Sequence, residues 1–352
     1  MTHHTFLERP AMSISPPIAA ALAAVDEDYY TRRPDGSVLA QTTSARTIAR
    51  MLDALDVRPG HRVLEIGTGS GFSGALLREL VGETGQVVSV DVVADLVDRA
   101  RDLHTKRGRE DIDVLLGDGL LGAPTRGPFD RIVAWASAER IFRAWVEQSV
   151  AGAVLVVPVE LTARVRTTAI VRLHTTPGGD PVADKVFAGG YVEMHSEELT
   201  QWLVPPRGVD ALVHDTQGQP WWLSADWAGR DRAAAEHLLA LLGTGAEARP
   251  LLAEDESGQD FVAFLYATRP EEFGVVGLGQ TGWRLGVTSP SGAALVTRRQ
   301  ASDAVCAGEQ TAFDRLCSWV EEWRTAGRPG YADLRPVLYR QADGWTVRAE
   351  LV

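Results

Sequence analysis

The 352-residue chain is poor in cysteine, with only Cys306 and Cys317. If one helix carries both, they sit roughly 16 Å apart along its axis, out of reach of a disulfide. Neither has the neighbouring His or Cys that a metal site needs, so no metal is expected. Scarce, unpaired thiols fit a reducing compartment, and a cytoplasmic protein is the expectation. No apolar run reaches about 18 residues, so no membrane span or membrane partner is expected. Residues 1–15 lack the charged, apolar, then small-residue order of a secretory signal. His3 and His4 in that stretch read as part of a disordered start rather than as ligands. Positive charge is also short: the net charge is −12. A nucleic-acid partner normally meets a basic surface, so none is expected here. There is no internal repeat or long low-complexity run, and nothing fixes an oligomeric state.

What is present is ordinary globular material. Hydrophobic residues make up 45% of the chain, enough for a sizeable core, and the length predicts two domains. From residue 40 to 159 helices and strands alternate. Ile48, Met51, Leu52 and Leu55 fall at i, i+3, i+4 and i+7, which predicts a helix over 47–55 with Ser44 as its N-cap. Strands are predicted at 62–66, 86–90, 112–116, 129–134 and 153–158. Helices are predicted at 74–80, 94–106 and 141–149. Alternation of this kind implies parallel pairing and a doubly wound α/β sheet. Beyond it come a strand at 167–174, the linker candidate Pro205-Pro206-Arg207-Gly208 and a helix near 230–242. Several short strands between 260 and 298 and a helix at about 309–324 complete the pattern. The expected division is a first domain at 1–205 and a smaller α+β domain at 209–352.

The sharpest element is Val63-Leu64-Glu65-Ile66-Gly67-Thr68-Gly69-Ser70-Gly71, a strand running into a glycine-rich turn and then a helix. Glycines at 67, 69 and 71 allow a tight turn and a close backbone approach to a ligand. Such ligands bind at the switch point of a parallel sheet. The spacing is G-x-G-x-G, not the dehydrogenase G-x-G-x-x-G, and the Gly-Lys-Ser/Thr of a phosphate loop is absent. An acid, Glu65, precedes the first glycine by two. These features suit a donor with a cationic sulfonium and an amino-acid head, S-adenosylmethionine, better than a phosphate. Asp91, with Val92 beside it, ends the second strand, where a carboxylate accepts from ribose hydroxyls. Asp118, in Gly117-Asp118-Gly119, ends the third, within reach of an adenine amino group. Taken alone, either Asp is as well read as a turn or cap residue. The candidate cofactor residues are therefore Glu65, Gly67, Thr68, Gly69, Ser70, Gly71, Asp91, Val92, Asp118 and Gly119.

At these residues the chain resembles the protein-L-isoaspartate O-methyltransferases. Gln41-Thr42-Thr43-Ser44 is similar to that family's Gln-Thr-Ile-Ser segment. Residues 64–72 resemble its cofactor motif, with Phe72 for the usual Tyr. Gly117-Asp118-Gly119 with Gly122, then Pro128-Phe129-Asp130, and Val156-Val157-Pro158-Val159 follow its later pattern, and the likeness spans roughly residues 15–200. The resemblance implies a Rossmann-like methyltransferase sheet and a polypeptide partner bearing Asp or isoaspartate. It implies esterification of that carboxylate, with succinimide formation following. It also maps Ser44 onto the family's active-site serine, while a helix cap remains the alternative reading of that residue. The chain departs from the pattern at Ala45 and Arg46, at Glu193 in place of a proline within residues 189–194, and in the added stretch 209–352. That stretch resembles a subgroup that modifies one Asp of ribosomally made peptides (lanthipeptides and graspetides). Dedicated peptide maturation is thus the alternative function, with tRNA or small-molecule methylation behind it. Ten tryptophans occur, most beyond residue 200; they suit a peptide groove, although a core place is commoner for any one of them.

Overall fold

The computed structural model describes residues 14–40, 42–199, 205–300 and 302–352. His3, His4 and Gln41, and most of the stretch weighed as a signal, lie outside them. Three helices precede the first strand: α1 (Pro16–Ala24), α2 (Glu27–Thr31) and α3 (Ala45–Leu55). In α3, Ile48, Met51, Leu52 and Leu55 are buried, the single apolar face that a 3.6-residue period produces. Ser44 caps it, its Oγ accepting from the Thr47 N–H at 3.4 Å.

Strands β1 (Arg62–Ile66), β2 (Gln86–Asp91), β3 (Ile112–Leu116) and β4 (Phe129–Ala134) follow, with α4 (Phe72–Val81) and α5 (Ala94–Thr105) crossing between the first three. The chain continues through β5 (Ile141–Phe142), α6 (Arg143–Glu147), β6 (Ser149–Glu160), β7 (Thr168–His174) and β8 (Val182–Ala188). The sheet order is β3-β2-β1-β4-β6-β7-β8. The first five strands of that order run parallel, and β7 and β8 return antiparallel. This is the expected doubly wound α/β sheet. Strand order reverses between β1 and β4, and it is outside the carboxyl ends of such strands that a crevice opens.

The second half builds its own sheet from β9 (Ala211–His214), β10 (Pro220–Ser224), β11 (Glu247–Arg249), β12 (Gly274–Leu278), β13 (Trp283–Ser289), β14 (Gly292–Val296) and β15 (Ala304–Gly308). Their order is β11-β15-β14-β13-β12-β10-β9, and every pairing is antiparallel. Helices α7 (Arg232–Gly245) and α9 (Gln310–Thr325) pack on it, and α8 (Gly258–Thr268) packs against α9, giving an α+β layer. A closing hairpin, β16 (Leu334–Gln341) and β17 (Gly344–Leu351), lays β17 against β5, pairing Gly344 with Phe142 and Trp345 with Ile141. One continuous apolar cluster runs from Leu64 and Val88 through Trp145 and Phe261 to Trp323 and Trp345, so both sheets share a core.

Three local expectations are corrected. Residues 141–149 are not one helix: 141–142 pair with β17, α6 takes only Arg143–Glu147, and Ser149 already belongs to β6. The stretch from 260, read as strand, begins in α8. Phe261, Val262, Ala263, Phe264, Leu265 and Tyr266 are all buried, so the helix is covered all round and its sequence carries no polar face to reveal the period. The two cysteines sit on different elements, Cys306 on β15 and Cys317 on α9, and both are free thiols.

The β5–β17 seam depends on Gly344, where a Cβ would lie 2.0 Å from the Ile141 carbonyl oxygen. Gly344→Ala is expected to cost about 2–3 kcal/mol by opening this pairing. Urea denaturation measures it, and an unchanged midpoint would contradict the seam's role.

Candidate active site

The glycine turn between β1 and α4 is built on backbone that L side chains resist: φ is +93° at Gly67, +51° at Gly69 and +83° at Gly71. Asp91, at the end of the neighbouring β2, pins this turn. Its Oδ2 accepts from the Gly69 N–H at 3.0 Å and its Oδ1 from the Val93 N–H at 3.0 Å. A carboxylate has about four acceptor positions, so roughly half remain for a ligand. Burial raises the Asp91 pKa, partly offset by these amide donors.

Glu65 lies one layer behind. Its side chain is fully buried and accepts from the Ser73 hydroxyl, from Ser89 Oγ at 2.6 Å and from Trp135 Nε1 at 2.9 Å. Ser89 Oγ is in turn 2.7 Å from Thr68 Oγ1. Ser89 stands directly opposite Glu65 in the β1–β2 register, so the parallel pairing itself brings them together. Desolvation pushes the Glu65 pKa up to about 7 against the pull of its three donors.

A cavity of about 380 Å³ opens at these strand ends, within the usual size of ligand clefts. Its wall takes residues 66–70 and Ser73 from β1, the turn and α4, and residues 90–93 and Leu96 from the end of β2 and the start of α5. Gly119 and Trp135 come from beyond β3 and β4, and residues 191–195 and 197–199 from the segment after β8. The cavity thus gathers Gly67, Thr68, Gly69, Ser70, Asp91, Val92 and Gly119. It does not gather all ten candidates. Glu65 supports three wall residues, Thr68, Ser73 and Trp135, from behind. Gly71 caps α4. Asp118 caps the short turn after β3, its Oδ1 accepting from Leu120 N–H at 2.9 Å. Ser44 is exposed, its hydroxyl 2.9 Å from Thr47 Oγ1 at the head of α3.

Several wall residues were not among the candidate site residues. Thr42 and Thr43 line the cavity, and Thr42 Oγ1 is buried with no hydrogen-bond partner among the described residues. The Gln-Thr-x-Ser segment did signal this region, though not which hydroxyl faces inward. Tyr191 closes another side, its ring 6.1 Å from that of Trp135 and its hydroxyl on Met51 Sδ at 2.7 Å. Residues 191–194 are stitched to Ser137, which donates to the Val192 carbonyl at 2.7 Å and accepts from the Met194 N–H at 2.8 Å. Glu193 lines the cavity and pairs with Arg207 at 3.5 Å.

Residues 13–197 match the protein-L-isoaspartate(D-aspartate) O-methyltransferase family. This chain belongs to that family. Among its relatives, the protein-L-isoaspartate O-methyltransferase of Ignicoccus hospitalis is 36% identical over 159 residues, 45% of this chain and 74% of that enzyme. The enzyme of the same name from Methanococcus aeolicus is 40% identical over 136 residues, 38% of this chain and 63% of that enzyme. A solved protein-L-isoaspartate O-methyltransferase covers 96% of this chain and 95% of its own at 17% identity, with a TM-score of 0.48. As a family member the chain is an O-methyltransferase whose methyl donor is S-adenosylmethionine.

The pocket of this methyltransferase fits that donor. Its positive-φ glycine cradle leaves room for a close ligand, and Asp91 offers free acceptor positions beside it. Among the described residues, no group of three or more His, Cys, Asp or Glu is placed to hold a metal, and no helix is long and apolar enough to cross a membrane.

The raised pKa of Glu65 makes a signed prediction. The native state holds this proton up to about pH 7, whereas the unfolded chain releases it near 4.5. Stability therefore falls as pH rises through that window, by about 3 kcal/mol at most, and is flat above it. A cationic donor favours ionised Glu65, so donor affinity is expected to strengthen between pH 5.5 and 7.5 in the wild type and to lose that slope in Glu65→Gln. Calorimetric titration across pH tests this; equal slopes in both proteins would refute it.

Proposed function

We propose that this chain transfers a methyl group to the side-chain or isoaspartyl carboxylate of an Asp-derived residue in a polypeptide. The observation that carries this reading is the cavity where β1 and β2 end. Asp91 and the glycine turn form one wall, and Thr42, Trp135 and Tyr191 face it. When bound, S-adenosylmethionine supplies an electrophilic methyl group on a sulfonium and departs as a neutral thioether. The acceptor carboxylate is already ionised near pH 7, so a carboxylate oxygen forms the new C–O bond with no proton to remove. That explains why the pocket needs no general base.

What the chain supplies is placement and dryness. Asp91 would accept from the ribose hydroxyls, and the turn of residues 67–69, whose Gly67 and Gly69 amides are held by Val90 and Asp91, would pack against the amino-acid head. Trp135 and Tyr191 exclude water. Burial holds the Tyr191 hydroxyl protonated, with a pKa well above the ordinary phenol range, so it adds no negative charge to repel the acceptor. Thr42 Oγ1, without a partner among the described residues, orients the acceptor carboxylate by a hydrogen bond. Ser44, the family's expected serine, serves here as the cap that starts α3 and so sets where residues 42 and 43 point. The resulting methyl ester then loses methanol as the adjacent backbone nitrogen attacks its carbonyl, closing a succinimide.

An isoaspartyl peptide incubated with labelled donor is expected to gain one base-labile methyl group; a base-stable product, or none, would reject the reading. Asp91→Ala is expected to weaken donor binding by about 1–3 kcal/mol, read by calorimetry. Thr42→Val should lower kcat with donor affinity intact. Ser44→Ala should cost about 1 kcal/mol of stability through the lost cap. Turnover that falls in Ser44→Ala but not in Thr42→Val would exchange the two roles.

A further inference from the structure

A second cavity, of about 610 Å³, lies in the second half of the chain between residues 280–284 and 297–299. Three of its lining residues are arginines, Arg284, Arg298 and Arg299, and none is acidic. Many other arginines in this half are neutralised: Arg269 pairs with Glu322, Arg324 with Glu256 and Arg328 with Asp255, although Arg249 meets the neutral Gln310 and Phe313. Among the described residues, none of the three cavity arginines forms an ion pair. The Nε atoms of Arg284 and Arg298 are buried and unpartnered. Arg298 is held in place by neutral groups: the Thr168 carbonyl at 3.3 Å, the Tyr266 hydroxyl, and the Trp283 ring 5.2 Å from its Cζ. Burial, with the neighbouring charge of Arg299, lowers the Arg284 pKa, whereas Tyr266 and Tyr331 raise that of Arg298 against its burial. In a chain of net charge −12, keeping such a cluster unneutralised costs free energy unless a ligand supplies the negative charge.

The cluster is linked to the donor-cavity wall through Thr168. Thr168, whose carbonyl receives Arg298, places its Oγ1 2.5 Å from where a Cβ on Gly190 would stand, and the next residue, Tyr191, is donor-cavity wall. We propose that Arg284, Arg298 and Arg299, with Trp283, form a docking cleft for acidic residues flanking the methyl-accepting site of the polypeptide substrate. The inference rests on the polypeptide reading above. The chain's acidic balance favours an acidic peptide over nucleic acid, whose dense phosphates the rest of the surface repels.

The test compares two isoaspartyl peptides that differ only in an Asp/Glu or an Asn/Gln flank, using the full-length protein. The acidic peptide is expected to show a KM about fivefold to tenfold lower, with equal kcat, and added salt should narrow the gap. Arg284→Gln with Arg299→Gln should erase the difference. Arg299→Glu, a change at an exposed side chain, should reverse it even if the double variant folds poorly. Equal KM values in the wild type, or a preference that survives in Arg299→Glu, would overturn the cleft. Fluorescence anisotropy of a labelled acidic peptide without isoaspartate separates the two readings. Arginine-dependent binding with no methylation of either peptide would sink the methylation reading while supporting the cleft. Tighter arginine-dependent binding of a single-stranded oligonucleotide would overturn the acidic-peptide assignment.

Discussion

The active-site region depends on one buried carboxylate. Glu65 sits at zero exposure inside the parallel sheet, where an unsatisfied charge would be prohibitively costly. Three donors make it tolerable, and each ties a different element to β1: Ser73 from α4, Ser89 from β2, and Trp135 from just beyond β4. The same three contacts fix the glycine turn between them. In the proposed reading Glu65 is a positioning residue, acting through Thr68, Ser73 and Trp135, which line the cavity in front of it.

That tie explains why the pocket forms where it does. Parallel strands end together on one side of the sheet, and reversal of strand order at β1 and β4 leaves a gap there that no crossover helix fills. Asp91 closes the arrangement by holding the turn's amide at Gly69. A rigid floor of this kind lowers the cost of ordering a flexible donor, which is the preorganisation a group-transfer site needs.

Much of this was legible in the sequence because the controlling signals are local. Strands β1, β3 and β4 follow the predicted bounds, since short apolar runs between turn residues leave little freedom. The Ser44 cap and the buried face of α3 follow from spacing alone. What escaped was set by distant partners. Residues 141–142 become strand only because β17 arrives some two hundred residues later to pair with them. Helix α8 hides its period by being buried on every side. Glu65 and Asp118 drew attention as acids at strand ends; the structure turns Glu65 into the sheet and sets one Asp118 oxygen on the Leu120 amide. Yet which oxygen faces a cavity and which caps a turn is decided by backbone direction, and composition does not reveal it. Thr42 was passed over for the same reason, two positions from the residue that drew attention.

The second half of the chain is more than an appendage, since α8, α9 and the closing hairpin share a core with the methyltransferase sheet. Arg207 holds the cavity wall at Glu193 and Met194, and Arg298 of the proposed cleft reaches the first sheet at Thr168. All of this presumes that the donor lies across the ends of β1 and β2. A crystal structure with S-adenosylhomocysteine tests that most directly. The account predicts ribose hydroxyls on the Asp91 carboxylate and the amino-acid head against residues 67–69, with Glu65 still hidden behind them. A nucleoside bound elsewhere, or direct contact between it and Glu65, would contradict it.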